Sequence, residues 1–315
     1  MRDDNAAVAQ AATNPTTGTS SAGAWGSAQR QRRTIALYLW RNPSLLIGLF
    51  LLGVLALIAV GGPFVVDIAT ADPLSAPSVR APSWDYPLGT DKQGRNLIAV
   101  LIVGTWLTCK VGLISGLLGV MTGTILGFVA GYYGRWVDAV ISLVVDVFLA
   151  VPPLLILIVI SANLKTTMTT NEMALIIASL AWREPARRIR SQVLIMREMS
   201  YVNTARLNGT GSLGIIFREM MPNLIPYLMA SLVLATSAAM LSSVGLEALG
   251  LGPQNEPTLG MTIYWAMHYS ALLQGYWWWM MTPLLVLIVL FLGLYLVTVG
   301  LDELANPRLK RGGGV

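Results

Sequence analysis

Long apolar stretches with few or no charged residues alternate with polar segments along the chain. The first, Leu45–Val66, has 22 residues. As a helix rising 1.5 Å per residue it would cover about 33 Å, enough for one bilayer span. Further apolar stretches lie at about 97–129, 137–162, 168–184, 220–246 and 280–301. Because hydrocarbon admits helices that satisfy their own backbone hydrogen bonds, the pattern predicts an all-α, polytopic membrane protein with about six transmembrane helices.

The last apolar stretch is too long to be one span. Pro257–Leu301 has no charge over 45 residues, and one helix of that length would measure about 68 Å, twice the membrane thickness. We place the final span at its end. The aromatic residues before that span predict a shelf at the membrane interface, where tryptophan and tyrosine are enriched. Stacking of Trp277–Trp279 on sugar rings is the alternative.

The polar segments set the expected domain boundaries. Residues 1–33, rich in alanine, threonine, glycine and serine, are expected to be a disordered cytoplasmic tail. An N-terminal segment with the first span follows at 34–66, and a proline-rich extracytoplasmic loop at 67–96. A five-helix core at 97–305 contains a long cytoplasmic connection at 185–222, and a cytoplasmic tail at 306–315 ends the chain.

Composition removes several classes of function. Of the residues, 55% are hydrophobic and 12% charged, whereas soluble domains carry roughly a quarter charged residues. One cysteine, Cys109, and one histidine, His268, exclude an internal disulfide framework and a His/Cys metal cluster made by this chain alone. None of the four lysines lies in a Gly-Lys-Ser/Thr context, which excludes a P-loop. We therefore expect no cofactor in this chain.

The basic residues predict an orientation in the membrane. The net charge is +5, and nucleic-acid binding would be one explanation of it. The basic residues lie mainly in the connections between apolar stretches, however, which favours membrane orientation over nucleic acid. With six spans and the N-terminus inside, the cytosolic segments hold 16 lysines and arginines and the outer segments hold four. The positive-inside rule then predicts a cell-membrane protein with both termini cytoplasmic.

Glycines form a stripe along the second apolar stretch. Gly112, Gly116, Gly119 and Gly123 follow one another at intervals of three or four residues, so they share one face of a helix. Small residues let a neighbouring helix approach closely within the membrane. We expect this face to be a helix–helix contact.

The connection Trp182–Pro226 is too long for a tight turn between spans. Its first part interleaves arginines with apolar residues, which is typical of an amphipathic helix continuing the fourth span. Another helix, a glycine break at Gly209–Gly211 and a short helix ended by Pro222 are predicted to follow. Such a protruding shape suits docking into a groove on a partner. A hairpin lying on lipid headgroups is the alternative.

This loop resembles the cytoplasmic "EAA" loop of permeases from binding-protein-dependent ABC importers. Asn203-Thr204-Ala205 occupies the triplet, with Asn203 and Thr204 replacing its acid and first alanine, and Gly209 and Pro222 match the glycine and proline. Further motifs in the same order over roughly residues 33–310 are similar to the C-type subunit of dipeptide/oligopeptide permeases. They are Trp40–Pro43, Tyr86–Arg95, Gly131–Asp138, Asp146 followed by Pro152, Leu249–Gly252 and Asn306–Arg308.

The resemblance implies a transport function rather than an enzyme activity. Family members pair with a homologous permease subunit, two ATPase subunits that bind ATP and Mg²⁺, and an extracytoplasmic solute-binding protein. The expected solutes are short peptides; oligosaccharides and nickel are the alternatives. The loop would couple to the ATPase through Tyr201, Asn203, Thr204, Ala205, Leu207, Gly209, Gly211 and Pro222.

Four polar residues in or near the spans are candidates for the pathway or its gating: Asp146, Lys110, Glu247 and His268. Charges inside a span are functional candidates by default. Each residue also has a structural interpretation. Asp146 would pair with a nearby arginine, Lys110 would snorkel to the interface, Glu247 would end its span and His268 would be an interfacial anchor.

Two functions from other classes fit the sequence less well. An intramembrane hydrolase needs a nucleophile–base constellation, which one histidine, one cysteine and no paired acids on separate spans do not provide. An ungated channel would leave the patterned cytoplasmic loop without a role. Transport driven by partner subunits accounts for both the spans and the loop.

Overall fold

The structure, a computed structural model, describes residues 42–163 and 168–305. The chain divides into two units, Met1–Pro43 and Ser44–Val315. Of the first unit, only Asn42 and Pro43 are among the described residues, so the second unit is the subject below. The predicted tails at 1–33 and 306–315 lie outside the described residues.

The described residues are mainly helical, and one isolated β-bridge joins Thr90 to Asn96. In chain order the helices are α1 (Pro43–Gly61), α2 (Leu97–Tyr133), α3 (Arg135–Ala150), α4 (Pro153–Ala162), α5 (Thr170–Ala181), α6 (Arg183–Met196), α7 (Ser200–Leu207), α8 (Ser212–Ala248), α9 (Leu259–His268) and α10 (Trp277–Ala305). Short 3₁₀ turns at Gly62–Phe64 and Ile68–Ala71 lead into the loop that precedes α2.

Four of these helices, α1, α2, α8 and α10, are long and apolar enough to cross a membrane. If α3 and α4 are counted as one span, bent by 76° between them, they meet the same criteria. The all-α, multi-pass fold is confirmed, and by these criteria the described residues provide up to five spans. The segment predicted as the fourth span, 168–184, is helical. However, α5 has 12 residues, about 18 Å of helix, and the charged α6 follows directly.

The glycine face of α2 contacts three helices. An added Cβ at Gly116 would lie 2.8 Å from the Cα of Thr236 in α8, and one at Gly123 would lie 2.8 Å from the backbone nitrogen of Ala186 in α6. The expectation of close helix approach is therefore confirmed. The contacts divide along the stripe: Gly112 and Gly116 face α8, Gly119 faces α5, and Gly123, Gly127 and Gly131 face α6.

The third predicted span is broken where two prolines follow one another. α3 ends at Ala150, and Val151 is extended before Pro152 and Pro153. Proline has no N–H and disfavours a helical residue before it, so the last carbonyls of α3 lack their usual partners. Arg183 supplies one, because its Nη1 donates to the carbonyl oxygen of Phe148 at 2.7 Å. The bend therefore lies beside the start of α6.

The aromatic residues at the start of α10 follow the interfacial prediction only in part. Trp277 is exposed, but Trp279 is only 1% exposed and packs between α2 and α9. The interfacial interpretation is therefore wrong for Trp279, because α10 already begins at 277 and turns this side chain inward. The indole N–H of Trp278 donates to the carbonyl of Thr90 at 3.3 Å, which joins the loop 67–96 to the last span.

The prediction that Pro222 ends a short helix is wrong. Ser212–Gly214 is α-helical, Ile215–Met220 is π-helical and Met221–Ala248 is α-helical again, so α8 runs through this proline. Proline is compatible with the first turn of an α-helix. The π-helical stretch places Pro222 in such a first turn, and the second helix of the loop is therefore continuous with the predicted fifth span.

Candidate functional site

The α7 loop, defined here as residues 197–214, contains α7, the glycine break and the first turn of α8. Gly209 follows α7 with φ of +77°, the left-handed conformation that glycine adopts at little cost. The N–H of Thr210 donates to the carbonyl of Ala205, and the N–H of Gly209 donates to that of Arg206, both at 3.0 Å. These two bonds form a Schellman motif, which fixes the direction in which the chain leaves α7.

A buried apolar cluster supports the α7 loop from beneath. At its rim, the guanidinium of Arg206 lies over the ring of Tyr132 at 5.8 Å from the centroid. The loop is therefore folded against α6 and the C-terminal end of α2. The buried members of the cluster are Phe128 of α2, Ile189, Val193 and Met196 of α6, Val202 and Ala205 of α7, and Ile215, Ile216, Met220 and Leu224 of α8.

The free surface of the α7 loop carries large apolar side chains near the glycine break. Leu207 is 89% exposed, and Leu213 is exposed as well. Large apolar groups exposed close together at the surface mark an interaction site. Asn203 and Thr204 are also exposed on α7. The loop therefore combines a fixed backbone with an uncovered apolar surface.

The other predicted residues of the α7 loop and its flanks divide between surface and core. Ala205 is buried and Tyr201 is half-buried, and burial raises the pKa of the Tyr201 hydroxyl. Gly211 and Pro222 are exposed. At Gly209 an added Cβ would meet no heavy atom within 4 Å. Glycine is therefore required there by the backbone conformation and not by space.

Asp146 and Lys110 lie on different helices. The Asp146 carboxylate is 3.9 Å from Nη1 of Arg187, with the two side chains 62% and 66% exposed. Exposed pairs of this kind contribute about 0–1 kcal/mol. Lys110 is half-buried in α2. The structural pairing considered for Asp146 is thus present as a weak contact, and the gating roles of both residues stay predictions.

Glu247 lies fully buried at the end of α8. The hydroxyl of Ser243 donates to Oε1 at 2.8 Å, and the hydroxyl of Thr258 donates to Oε2 at 2.7 Å. Thr258 is the N-cap of α9, where it accepts the backbone N–H of Met261 at 3.2 Å. The carboxylate therefore joins the end of α8 to the start of α9. A role in the pathway stays a prediction.

His268 is the last residue of α9 and is exposed. Its ring stacks on Tyr264 with 5.6 Å between centroids, and Trp265 and Tyr269 meet it edge-on. The ammonium of Lys92 lies 4.9 Å from the centroid of Tyr269. This aromatic cluster therefore connects α9 to the loop that precedes α2.

Sequence reasoning did not identify a set of arginine contacts made by α6 and its end. Arg183, Arg190 and Arg197 each bond to a group on α2 or α3. Their regular spacing of seven residues was the available signal. Beside Arg183, a cavity of about 400 Å³ is lined by α3, α4, α5, α6 and α8. Among the described residues, no group of three or more His, Cys, Asp or Glu could hold a metal ion.

Comparison with known sequences gives consistent matches over most of the chain. A family model described as binding-protein-dependent transport system inner membrane component matches residues 123–311. The dipeptide transport system permease protein DppC of Haemophilus influenzae is 29% identical, covering 87% of this chain and 94% of its own. The di/tripeptide transport system permease protein DppC of Pseudomonas aeruginosa is 30% identical, covering 85% and 89%. The glutathione transport system permease protein GsiD of Pectobacterium atrosepticum is 29% identical, covering 73% and 75%.

A solved structure has a similar fold. A chain of the MetNI methionine ABC transporter, in inward-facing conformations, superimposes with a TM-score of 0.51 at 20% identity. The match covers 66% of this chain and 95% of that one. At this level of identity, the likeness concerns the fold alone.

Proposed function

Because the chain belongs to the family of binding-protein-dependent transport system inner membrane components, we propose that it forms a pathway for short peptides together with a homologous permease subunit. It is a permease subunit of an ABC importer and a multi-pass membrane protein. An extracytoplasmic binding protein would deliver the peptides. Two partner ATPase subunits, which bind ATP and Mg²⁺, would supply the energy.

The relatives support peptides as the solute class. Their names specify dipeptides, di/tripeptides and glutathione, which is itself a short peptide. This favours peptides over the oligosaccharides and nickel that the sequence left open. Peptides need hydrogen-bonding groups and a path wide enough for side chains. The cavity beside Arg183, with about 400 Å³, is on the scale of a small-ligand site.

The proposed coupling element is the α7 loop. The exposure of Leu207 is the observation that supports this part of the proposed function. Leu207 is 89% exposed, although its own helix is packed on a buried cluster beneath. A surface that is rigid underneath and apolar outside suits a groove on another protein. We infer that this groove belongs to an ATPase subunit, and that its nucleotide-driven closure moves the loop.

A cysteine at position 207 should crosslink to an ATPase subunit in the assembled complex. The variant Leu207→Cys, in a Cys109→Ala background, places a thiol at the exposed end of α7, where contact with the partner is expected. Gel mobility after treatment with a bifunctional thiol reagent measures the yield. The control is Trp84→Cys, which is fully exposed in the loop 67–96 and should give no crosslink. Absence of a crosslink from position 207 in a complex that transports would contradict the proposed coupling role.

The orientation can be tested by thiol labelling, since the basic residues predict that 67–96 is outside and both termini are cytoplasmic. Ser83 and Ser212 are both exposed, so a cysteine at either position is accessible to reagent. In intact cells a membrane-impermeant maleimide should label Ser83→Cys. It should label Ser212→Cys only after permeabilisation. Labelling of position 212 in intact cells would reverse the topology.

A further inference from the structure

Three arginines of α6 and its C-cap lie on one face of the helix. Arg183, Arg190 and Arg197 are seven residues apart, close to two helical turns, so their side chains project in nearly the same direction. Arg183 and Arg190 bond to α3, and Arg197 bonds to the end of α2 that leads into it. We call these three residues the arginine row.

The central contact of the arginine row is a two-point ion pair. Nη2 of Arg190 donates to Oδ2 of Asp138 at 2.7 Å, and Nε of the same guanidinium bonds to Oδ1. The two side chains are 32% and 18% exposed, so water screens this pair less than a surface pair. Paired donors on a carboxylate combine strength with a defined orientation. Asp138 lies in the first turn of α3, so the pair holds the start of α3 against α6.

The outer members of the row bind backbone carbonyls on two different helices. Nη1 of Arg197 donates to the carbonyl of Gly131, near the end of α2, at 2.9 Å. Nη1 of Arg183 donates to the carbonyl of Phe148 at 2.7 Å, in the last turn of α3. Arg183 is buried. Arg190 and Arg183 therefore hold the first and last turns of α3, and Arg197 holds the end of α2 that leads into it.

Apolar packing contributes little to the position of α3. Val145 is its one buried residue, and most of its large apolar side chains are exposed. Within a bilayer, lipid is as apolar as these side chains, so there is no hydrophobic driving force for α3 to pack on another helix. The guanidinium contacts, together with the edge-on contact of Phe148 with Trp182 at 5.6 Å between centroids, are therefore the main fixed links between α3 and α6.

A neighbouring face of α6, about a quarter turn from the arginine row, carries the α7 loop. Ile189, Val193 and Met196 pack there in one buried cluster with Val202 and Ala205 of α7. One helix thus contacts both the proposed coupling element and the broken span, on adjacent faces. At the break between α3 and α4, Leu149 and Pro153 line the cavity beside Arg183.

We propose that the members of the arginine row are positioning residues: Arg183 and Arg190 tie α3 to α6, and Arg197 ties α6 to the end of α2 that leads into α3. The broken span then moves as one body with the α7 loop during transport. The inference rests on the proposed coupling role of that loop. Displacement of the loop would be transmitted to the bend at Val151–Pro153 and would change the shape of the cavity there.

The role of the arginine row can be tested in proteoliposomes that contain the whole complex, by measuring transport and ATP hydrolysis together. Arg190→Gln should lower peptide transport about tenfold, the scale expected for losing a charge-assisted bond, while ATP hydrolysis continues. The exchange Asp138→Arg with Arg190→Asp restores the pair and should restore transport. Arg187→Gln is the matched control. It removes a charge from the same helix, and its pair with Asp146 is long and exposed, so transport should be unchanged.

The outcomes separate this inference from the proposed function. Normal transport in Arg190→Gln, no rescue by the exchange, or an equal loss in Arg187→Gln would overturn the role of the arginine row. In each preparation the crosslink from position 207 is measured as well. If that crosslink is missing in the complex with an unaltered arginine row, the coupling role of the loop fails instead.

A distance measurement tests the same inference without a substitution in the arginine row. It therefore does not depend on whether the variants of that row fold. Spin labels at Leu143→Cys and Ile195→Cys occupy exposed positions on α3 and α6. A second pair, Ile195→Cys with Leu292→Cys at an exposed position of α10, reports the change between nucleotide states. Between states in which that second distance changes, the separation of positions 143 and 195 should stay constant within about 2 Å, the scale of a small helix shift. Relative movement of α3 and α6 by about one helical turn, roughly 5 Å, would overturn the inference.

Discussion

Replacement of Gly123 by leucine is expected to prevent the protein from folding in the membrane. An added Cβ at this position lies 2.8 Å from both the carbonyl oxygen of Trp182 and the backbone nitrogen of Ala186, and 2.7 Å from the Cβ of Pro185. These atoms belong to the backbone or to a rigid ring, so no side chain can rotate away. Overfilling a packed contact typically costs about 1–3 kcal/mol and occasionally more, and the rigid neighbours here place Gly123→Leu at the upper end. The yield of monodisperse protein in detergent and its thermal midpoint measure the effect.

Two further variants control this prediction. Gly53→Leu introduces the same side chain into α1, where an added Cβ meets nothing within 4 Å, and should leave yield and thermal midpoint unchanged. Gly123→Ala adds only the Cβ and should give an intermediate loss. If Gly123→Leu is as stable as Gly53→Leu, the close contact between α2 and α6 is not formed in the protein.

Gly209→Val is expected to reduce transport strongly in a protein that still inserts and folds. The backbone at Gly209 is left-handed, with φ of +77°, and a β-branched residue there costs about 1–2 kcal/mol. An added side chain would meet no neighbour, so the strain acts on the Schellman turn alone. A cost of this size changes the population of the native turn by a factor of roughly 5–30. Peptide uptake and peptide-stimulated ATP hydrolysis should both fall by a comparable factor.

The matched control for Gly209→Val is Gly209→Asn. Asparagine tolerates the left-handed region better than other side chains, and it adds a similar volume at the same exposed place. It should retain most of the transport activity. Equal loss in both variants would indicate that the surface at Gly209, rather than the turn geometry, matters for the partner. Full activity of Gly209→Val would show that the turn geometry has no role in the coupling mechanism.

The sequence predicted the helices well because their signals are local. Apolar stretches marked α1, α2 and α10 within a few residues of their observed bounds and α8 from residue 220 onward, and the glycine spacing marked the close contacts of α2. The break at Pro152–Pro153 was not predicted, because the apolar stretch continues through both prolines, although proline cannot continue a helix without loss of a bond. Continuation of α8 through Pro222 was not predicted either, since it depends on a π-helical stretch without a sequence signature.

The candidate site was predictable only where backbone conformation dictates residue type. The left-handed position at Gly209 followed from the helix–glycine pattern. The contacts of Arg183 and Arg197 did not, because their acceptors are backbone carbonyls, and every residue type has one of those. The hydrogen bonds of Glu247 could not be predicted for a related reason. Its partner Thr258 belongs to another helix, and nothing in the spacing shows that the two meet.

The shared glycine face of α2 has a consequence for biosynthesis. Gly123 meets Ala186, and Gly112 meets Met240, so each glycine has a partner that is translated much later. At roughly 5–20 residues per second, the 128 positions between Gly112 and Met240 take about 6–25 s to synthesise. During that interval a helix with a bare backbone groove is in the bilayer without its partners. The nascent chain is therefore most vulnerable to wrong helix pairing and to membrane proteases before α8 emerges. The speed of translation through α3–α7 sets how long the glycine face of α2 stays unpaired.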